Sequence, residues 1–302
     1  MTFADRLAAR IREVDTPALL GIDPHLDLLP EEYAVARDAS APRSERAAAL
    51  ERFGLELVDL AAGRVAAVKP QSAFFEVLGA DGVHAWERVV AAARNAGLLV
   101  IGDVKRSDIA STAAAYATAF LTGLPGLEQA SLCDAITLNP YLGSDTLEPF
   151  ADACRESGGG LFVLVRTSNP GSGVFQGEGD PSLCERVADV VAKLGDGLRG
   201  ECGLSSIGAV VGATHPDELV RLRERMPRTP FLLPGYGAQG GTAADVAPAF
   251  RCQAGEHGSA LVNSSRGVAF AWRKPEHAGR HWKDAAASAL DTMIADLRAA
   301  RP

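Results

Sequence analysis

The chain has 302 residues, 47% of them hydrophobic, with 31 Gly and 17 Pro, enough to bury a substantial core within one large α/β domain. A formal charge of −8 at pH 7 and a pI near 5.3 argue against general affinity for nucleic acid or anionic membrane, so an anionic ligand must be drawn by a local site. No apolar run reaches the roughly 20 residues that cross a bilayer, and five scattered cysteines without a CxxC pair read as reduced cytoplasmic thiols, not a zinc site.

Residues 1–17 alternate charge with alanine and leucine, which predicts an amphipathic helix and not a signal peptide. Eight short apolar runs follow: 18-ALLGID-23, 65-VAAVKP-70, 98-LLVIGD-103, 135-AITLNP-140, 161-LFVLVR-166, 207-IGAVVG-212, 231-FLLPG-235 and 259-SALVNSS-265. Between them lie helix-like stretches such as 44–63, 82–97, 181–195 and 216–226. Continuous apolar strands alternating with amphipathic helices predict a parallel sheet covered outside. Eight units in one chain favour a closed (β/α)8 TIM barrel, a single α/β domain, over an open doubly wound sheet. Segments 30–43 and 170–180 are excursions from the repeating unit; the second carries several glycines and is a candidate mobile loop.

The most informative run is DVKRSDI, 103–109. If the third strand persists through it, a period of two aims Asp103 and Lys105 at one face. Asp108, at the following turn, is within reach of this site or of a neighbouring subunit's. The plainer alternative has Asp103 starting a turn, Ser107 or Asp108 capping a helix and Lys105 in solvent. Against it, nearly every strand ends in polar residues: Asp23, Lys69, Asp103 with Lys105, Asn139, and Arg166 with Thr167 and Ser168. In a barrel these converge on the C-terminal mouth, where barrel enzymes place their chemistry. After the last two strands, 234-PGYGAQGG-241 offers glycine N–H groups, Thr242 can cap the next helix, and Arg266 in 263-NSSRG-267 can bind an anion in a bidentate manner. His277 and His281 have helical i,i+4 spacing but no third ligand nearby, so no metal site is expected.

Taken together, DVKRSDI, 20-LGID-23, 68-VKPQSAFFE-76, 137-TLNPYLGSD-145, 166-RTSNPGS-172, 232-LLPGYGAQGG-241 and 262-VNSSRG-267 resemble the orotidine 5'-phosphate decarboxylase family, in its longer bacterial subgroup. The resemblance implies a charged array of Lys69, Asp103, Lys105 and Asp108. It implies a homodimer in which Asp108 and Thr112, one turn apart on a helix, enter the partner's site. It further implies Asp23 and Lys69 at the ribose hydroxyls, Ser168 at the pyrimidine amide edge, and Gly237, Gln239, Gly240 and Arg266 at the phosphate. Substrate and product would be orotidine 5'-phosphate and UMP, with no metal or organic cofactor. Two alternatives remain open: a metal-dependent sugar-phosphate decarboxylase or aldolase of the same superfamily, which has a glutamate where this chain has Lys69, or a non-catalytic nucleotide-binding barrel.

Overall fold

The computed structural model describes residues 1–126, 130–214, 216–237, 240–253 and 258–301. Eight parallel strands close in sequence order: β1 (Ala18–Ile22), β2 (Ala67–Pro70), β3 (Leu99–Arg106), β4 (Ala135–Leu138), β5 (Gly160–Arg166), β6 (Ile207–Val211), β7 (Phe231–Leu233) and β8 (Ala260–Ser264). Strand β8 pairs back onto β1 through Leu19 and Asn263. Each lies in one of the runs expected from the sequence, except that β3 continues past its run to Arg106 and β5 begins one residue earlier at Gly160, and the (β/α)8 barrel is the observed fold.

Through the middle of each strand the side chains alternate between two faces. Leu19, Ala67, Leu99, Ala135, Phe162, Val210, Leu232 and Leu261, one from each strand, form a single cluster inside the barrel. Their neighbours Leu20, Val68, Val100, Ile136, Val163, Val211, Leu233 and Val262 belong to the larger cluster shared with the surrounding helices. Burial on both faces is why the strands read as unbroken apolar runs. The outer layer includes α2 (Arg43–Ala61), α3 (Gly79–Asn95), α4 (Ala110–Ala117), α5 (Glu148–Ser157), α6 (Leu183–Gly195), α7 (Pro216–Arg225) and α8 (Trp282–Ala300). After β7 the crossover contains a short helix, Ala243–Val246, opened by a reciprocal Thr242–Asp245 capping box and continued by the 3-10 turn Ala247–Phe250.

The N-terminal helix α1 (Phe3–Val14) closes the lower end. Its Phe3, Leu7, Ile11 and Val14 join the interior cluster, and Phe3 meets Phe162 edge-on at 5.9 Å. Gly160 is required by this contact, because a Cβ there would lie 2.3 Å from the Phe3 ring. Segment 30–43, which has no sequence-derived role, proves structural. Tyr33 is fully buried, packs against Phe53 and Trp282, and donates its hydroxyl proton to Glu56 of α2, so the excursion wedges between α2 and α8.

Candidate active site

Continuing the interior alternation toward the C-terminal ends of the strands replaces apolar side chains by polar ones. Lys69 follows Ala67, Asp103 follows Leu99 and Ile101, Thr137 follows Ala135, and Asn263 follows Leu261. This ring is the floor of the barrel mouth.

At its centre is the carboxylate of Asp103, only 5% exposed. Its Oδ2 accepts from Lys69 Nζ at 2.5 Å and from Gln71 Nε2 at 2.8 Å. Its Oδ1 accepts from Lys105 Nζ at 2.5 Å and from Thr137 Oγ1 at 2.9 Å. Burial alone would raise the Asp103 pKa, but the ammonium groups of Lys69 and Lys105 outweigh it and hold the carboxyl far below the ordinary range. Burial works likewise against the charge of Lys69, yet Asp103 and Asp23 together raise its pKa. Lys69 and Asp103 are therefore held as a buried ion pair. Asp103 starts no solvated turn, and the plainer alternative fails at that residue.

Lys105 reaches this position by an irregular route. Gly102 pairs with Ile136 and Arg106 with Leu138, so four steps along β3 match two along β4. Within that bulge Lys105 has φ 43°, in the left-handed region. The two side chains still meet, but through a bulge and not through the simple strand period. The Lys105 side chain is about half exposed at the mouth, with its ammonium on Asp103.

An immediate consequence concerns stability. Asp103→Asn leaves Lys69 as a buried cation without its counter-ion, at a cost of about 3–5 kcal/mol near neutrality. Because pairing lowers the folded-state pKa of Asp103, this stabilisation is complete above the unfolded value and disappears as pH falls through the folded one. In urea melts the gap between native protein and variant should narrow below about pH 4. A gap that stays constant on acidification would contradict the assignment.

Asp23 follows β1 and is half-buried. Its Oδ1, with Asn263 Oδ1 and Ser265 Oγ, is among the buried polar atoms that lack a hydrogen-bond partner within the described residues. Gly21 lets β8 approach closely here, since a Cβ would fall 1.9 Å from Ser265 Oγ and 2.9 Å from Asn263 Oδ1. Unused hydrogen-bonding capacity thus collects where β1 and β8 end. Arg266 begins the one-turn helix Arg266–Ala269 beside it, exposed and without an ion-pair partner among the described residues. His25 fills the same corner, its ring 4.1 Å from Phe74 and 6.0 Å from Phe270.

The glycine loop after β7 differs from the sequence expectation in one respect. Gly237 N–H donates to Gly241 O, Gly240 N–H to Gly237 O, and Gly241 N–H to Gly235 O. Three of the four glycine N–H groups are therefore spent on the loop's own turn. What the loop offers is room: a Cβ on Gly237 or Gly240 would meet nothing within 4 Å, although their φ values of 70° and 92° demand glycine. Gln239 lies outside the described residues.

Ser168 sits half-buried against Gly212 at the end of β6, whose Cβ would lie 3.1 Å from the Ser168 Cβ. Arg166 does not join the charged floor. A register shift between Leu164 and Arg166 turns it to the other side, where Glu218 of α7 and Ser172 hold its guanidinium. Loop 170–180 is pinned by Gln176, which accepts from Thr167 N–H and donates to Thr167 Oγ1. Beside it Phe175 and Tyr141 border a cleft of about 560 Å³ that Asn139 also lines.

Asp108 and Thr112 make no ion pair or side-chain hydrogen bond with the array. Asp108 accepts only from the adjacent Ile109 N–H among the described residues, and Thr112 is exposed on the first turn of α4. Neither Ser107 nor Asp108 caps that helix, whose N-cap residue is Ile109.

Two residues beside Asp103 carry no sequence assignment, Gln71 and Thr137. Thr137 was detectable in principle, because it occupies the interior position two residues after Ala135. Gln71 forms a bridge with Asp103 just beyond the end of β2, and no local pattern announces it.

A family model described as "Orotidine 5'-phosphate decarboxylase / HUMPS family" matches residues 44–281. The chain belongs to this family. It is 41% identical over 306 residues to a Rhodopirellula baltica protein named orotidine 5'-phosphate decarboxylase, covering 99% of each chain. It is 46% identical over 272 residues to the Deinococcus radiodurans protein of the same name, covering 89% of this chain and 90% of the other. Among solved structures, Leishmania donovani OMP decarboxylase superimposes with a TM-score of 0.74 at 32% identity, covering 100% of this chain and 99% of that one. The Leishmania donovani structure thus shares the overall fold of this chain.

Proposed function

We propose that this protein converts orotidine 5'-phosphate to UMP and carbon dioxide in pyrimidine biosynthesis, with Lys105 as the group that stabilises and protonates the reacting carbon. The observation that carries this reading is the buried Asp103 carboxylate clasped by two ammonium groups at 2.5 Å each. Loss of carbon dioxide from ring carbon 6 leaves a localised carbanion with no neighbouring carbonyl to delocalise it. The ammonium of Lys105 stabilises that charge and then supplies the proton of the product. Asp103 holds the Lys105 ammonium in place through its Oδ1. Its own charge also repels the substrate carboxylate, by roughly 4 kcal/mol at about 4 Å and an effective dielectric near 20, or about three decades in rate. Repulsion is thus the smaller share, and carbanion stabilisation in a pre-organised site the larger.

Asp23 and Lys69 are assigned to the ribose hydroxyls, Ser168 to the pyrimidine edge, and Arg266 with Gln239 to the phosphate, Gly237 and Gly240 shaping the space for it. Among the described residues Asp23 Oδ1 has no hydrogen-bond partner and Arg266 no ion-pair partner, which supports these roles. Lys69, bound to Asp103, puts a cation where the metal-dependent barrels need a carboxylate, so the chemistry is assigned without a metal or organic cofactor. Among the described residues no helix is long and apolar enough to cross a membrane, and the protein is assigned to the cytoplasm.

The deciding experiment follows the ultraviolet absorbance of orotidine 5'-phosphate mixed with the purified protein in EDTA. Loss of the substrate band with formation of UMP is the expected result. An unchanged spectrum from folded protein overturns the proposal and favours a metal-dependent sugar-phosphate enzyme or a binding protein.

The active form is a homodimer in this reading. Asp108 and Thr112 stand at the start of α4 unengaged with their own array, and exposed Ile109, Tyr141 and Leu142 supply an apolar face on nearby loops. Mixing inactive Lys105→Ala and Asp108→Ala proteins should then restore activity, since half the sites of a mixed dimer lack both defects, giving about a quarter of native turnover. No recovery after verified subunit exchange would show that Asp108 serves its own subunit.

A further inference from the structure

Thr137 is buried in the interior wall of β4, 2% exposed, and its hydroxyl is used in both directions. It accepts from the backbone N–H of Lys105 at 3.0 Å and donates to Asp103 Oδ1 at 2.9 Å. Those bonds fall within the interval where β3 and β4 lose register, between Gly102 and Arg106. No regular ladder partner is available to Lys105 there. The hydroxyl of Thr137 supplies the missing acceptor, and it does so for a residue at φ 43°, a conformation that non-glycine residues seldom adopt. Such a backbone persists only where its surroundings hold it.

We propose that Thr137 is a positioning residue for the decarboxylation: its hydroxyl locks the left-handed backbone of Lys105 and fixes the Asp103 carboxylate, so that the ammonium is held at the reacting carbon. The inference rests on Lys105 being the stabilising and protonating group. A threonine that merely filled the barrel wall would be replaced by valine with little effect on the chemical step. Valine keeps the shape and removes both hydrogen bonds. The Lys105 amide then loses its acceptor, the bulge is free to relax toward extended geometry, and the ammonium shifts relative to the substrate. Displacements of about 1 Å in a catalytic group cost on the order of a hundredfold in rate.

The test compares Thr137→Val, Thr137→Ser and Lys105→Ala with the native enzyme, measuring kcat and KM for orotidine 5'-phosphate, UMP affinity by calorimetry, and thermal unfolding. Thr137→Val should lose about a hundredfold in kcat while binding UMP within threefold of native. Thr137→Ser, which keeps the hydroxyl, should stay within about fivefold of native kcat. A Thr137→Val enzyme with native kcat overturns the proposal, as does a Thr137→Ser enzyme that folds, binds UMP and is as slow as the valine variant. If the valine variant does not fold, the same criteria apply to Thr137→Ala against Thr137→Ser. Substantial turnover by Lys105→Ala would instead refute the role of Lys105, a separate outcome.

Discussion

Replacing Lys105 by alanine should abolish turnover and leave nucleotide binding detectable. In the proposed mechanism the ammonium acts twice, as the charge that stabilises the carbanion and as the proton donor, and each function is worth two or more decades in comparable sites. The combined loss should reach at least about 10⁴-fold in kcat. Binding survives because the assigned contacts to ribose and phosphate come from other strands, and because Asp103 keeps Lys69, Gln71 and Thr137 as partners. The side chain of Lys105 is about half exposed, so its removal opens no buried cavity. Turnover measured by loss of the substrate band, beside UMP affinity by calorimetry, separates the two effects. Near-native turnover would sink the mechanism.

Arg266→Ala tests the opposite end of the substrate. The guanidinium stands free at the start of a one-turn helix beside β8, exposed and without an acidic partner among the described residues. Its loss should lower kcat/KM for orotidine 5'-phosphate by about 10²-fold, as expected when one partner of a charge-assisted pair is removed. The discriminating control is orotidine itself, which lacks the phosphate. Native enzyme and variant should then perform alike, because the deleted interaction has no partner in either case. A deficit of equal size with both substrates would show that Arg266 supports the fold or the ring site and not the phosphate.

The fold was largely visible in the sequence because a parallel barrel buries each strand on both faces, which leaves eight apolar runs that few other arrangements produce. The charged floor was visible for a related reason: Lys69 and Asp103 continue the interior alternation of their own strands. What stayed hidden depends on departures from that alternation and on pairing between distant segments. The β3 bulge places Lys105 by a left-handed backbone that no period reveals. The register shift in β5 turns Arg166 toward Glu218 and away from the site expected for it. In 234–241 the glycine pattern suggests free N–H donors, whereas three of those N–H groups close the loop on itself. Thr137 and Gln71 acquire meaning only once β2, β3 and β4 stand side by side.

The helix that closes the lower end has an implication for the order of events during turnover. From Phe3 and Leu7 through Leu99 to Ile101 the interior is filled with apolar side chains, so among the described residues the lower end of the barrel is packed shut and the site faces the C-terminal mouth. Gas released at ring carbon 6 has no rear exit and must leave past the nucleotide or together with it. With the lower end packed, substrate entry and product exit both fall to the mouth where Lys69, Asp103 and Lys105 stand.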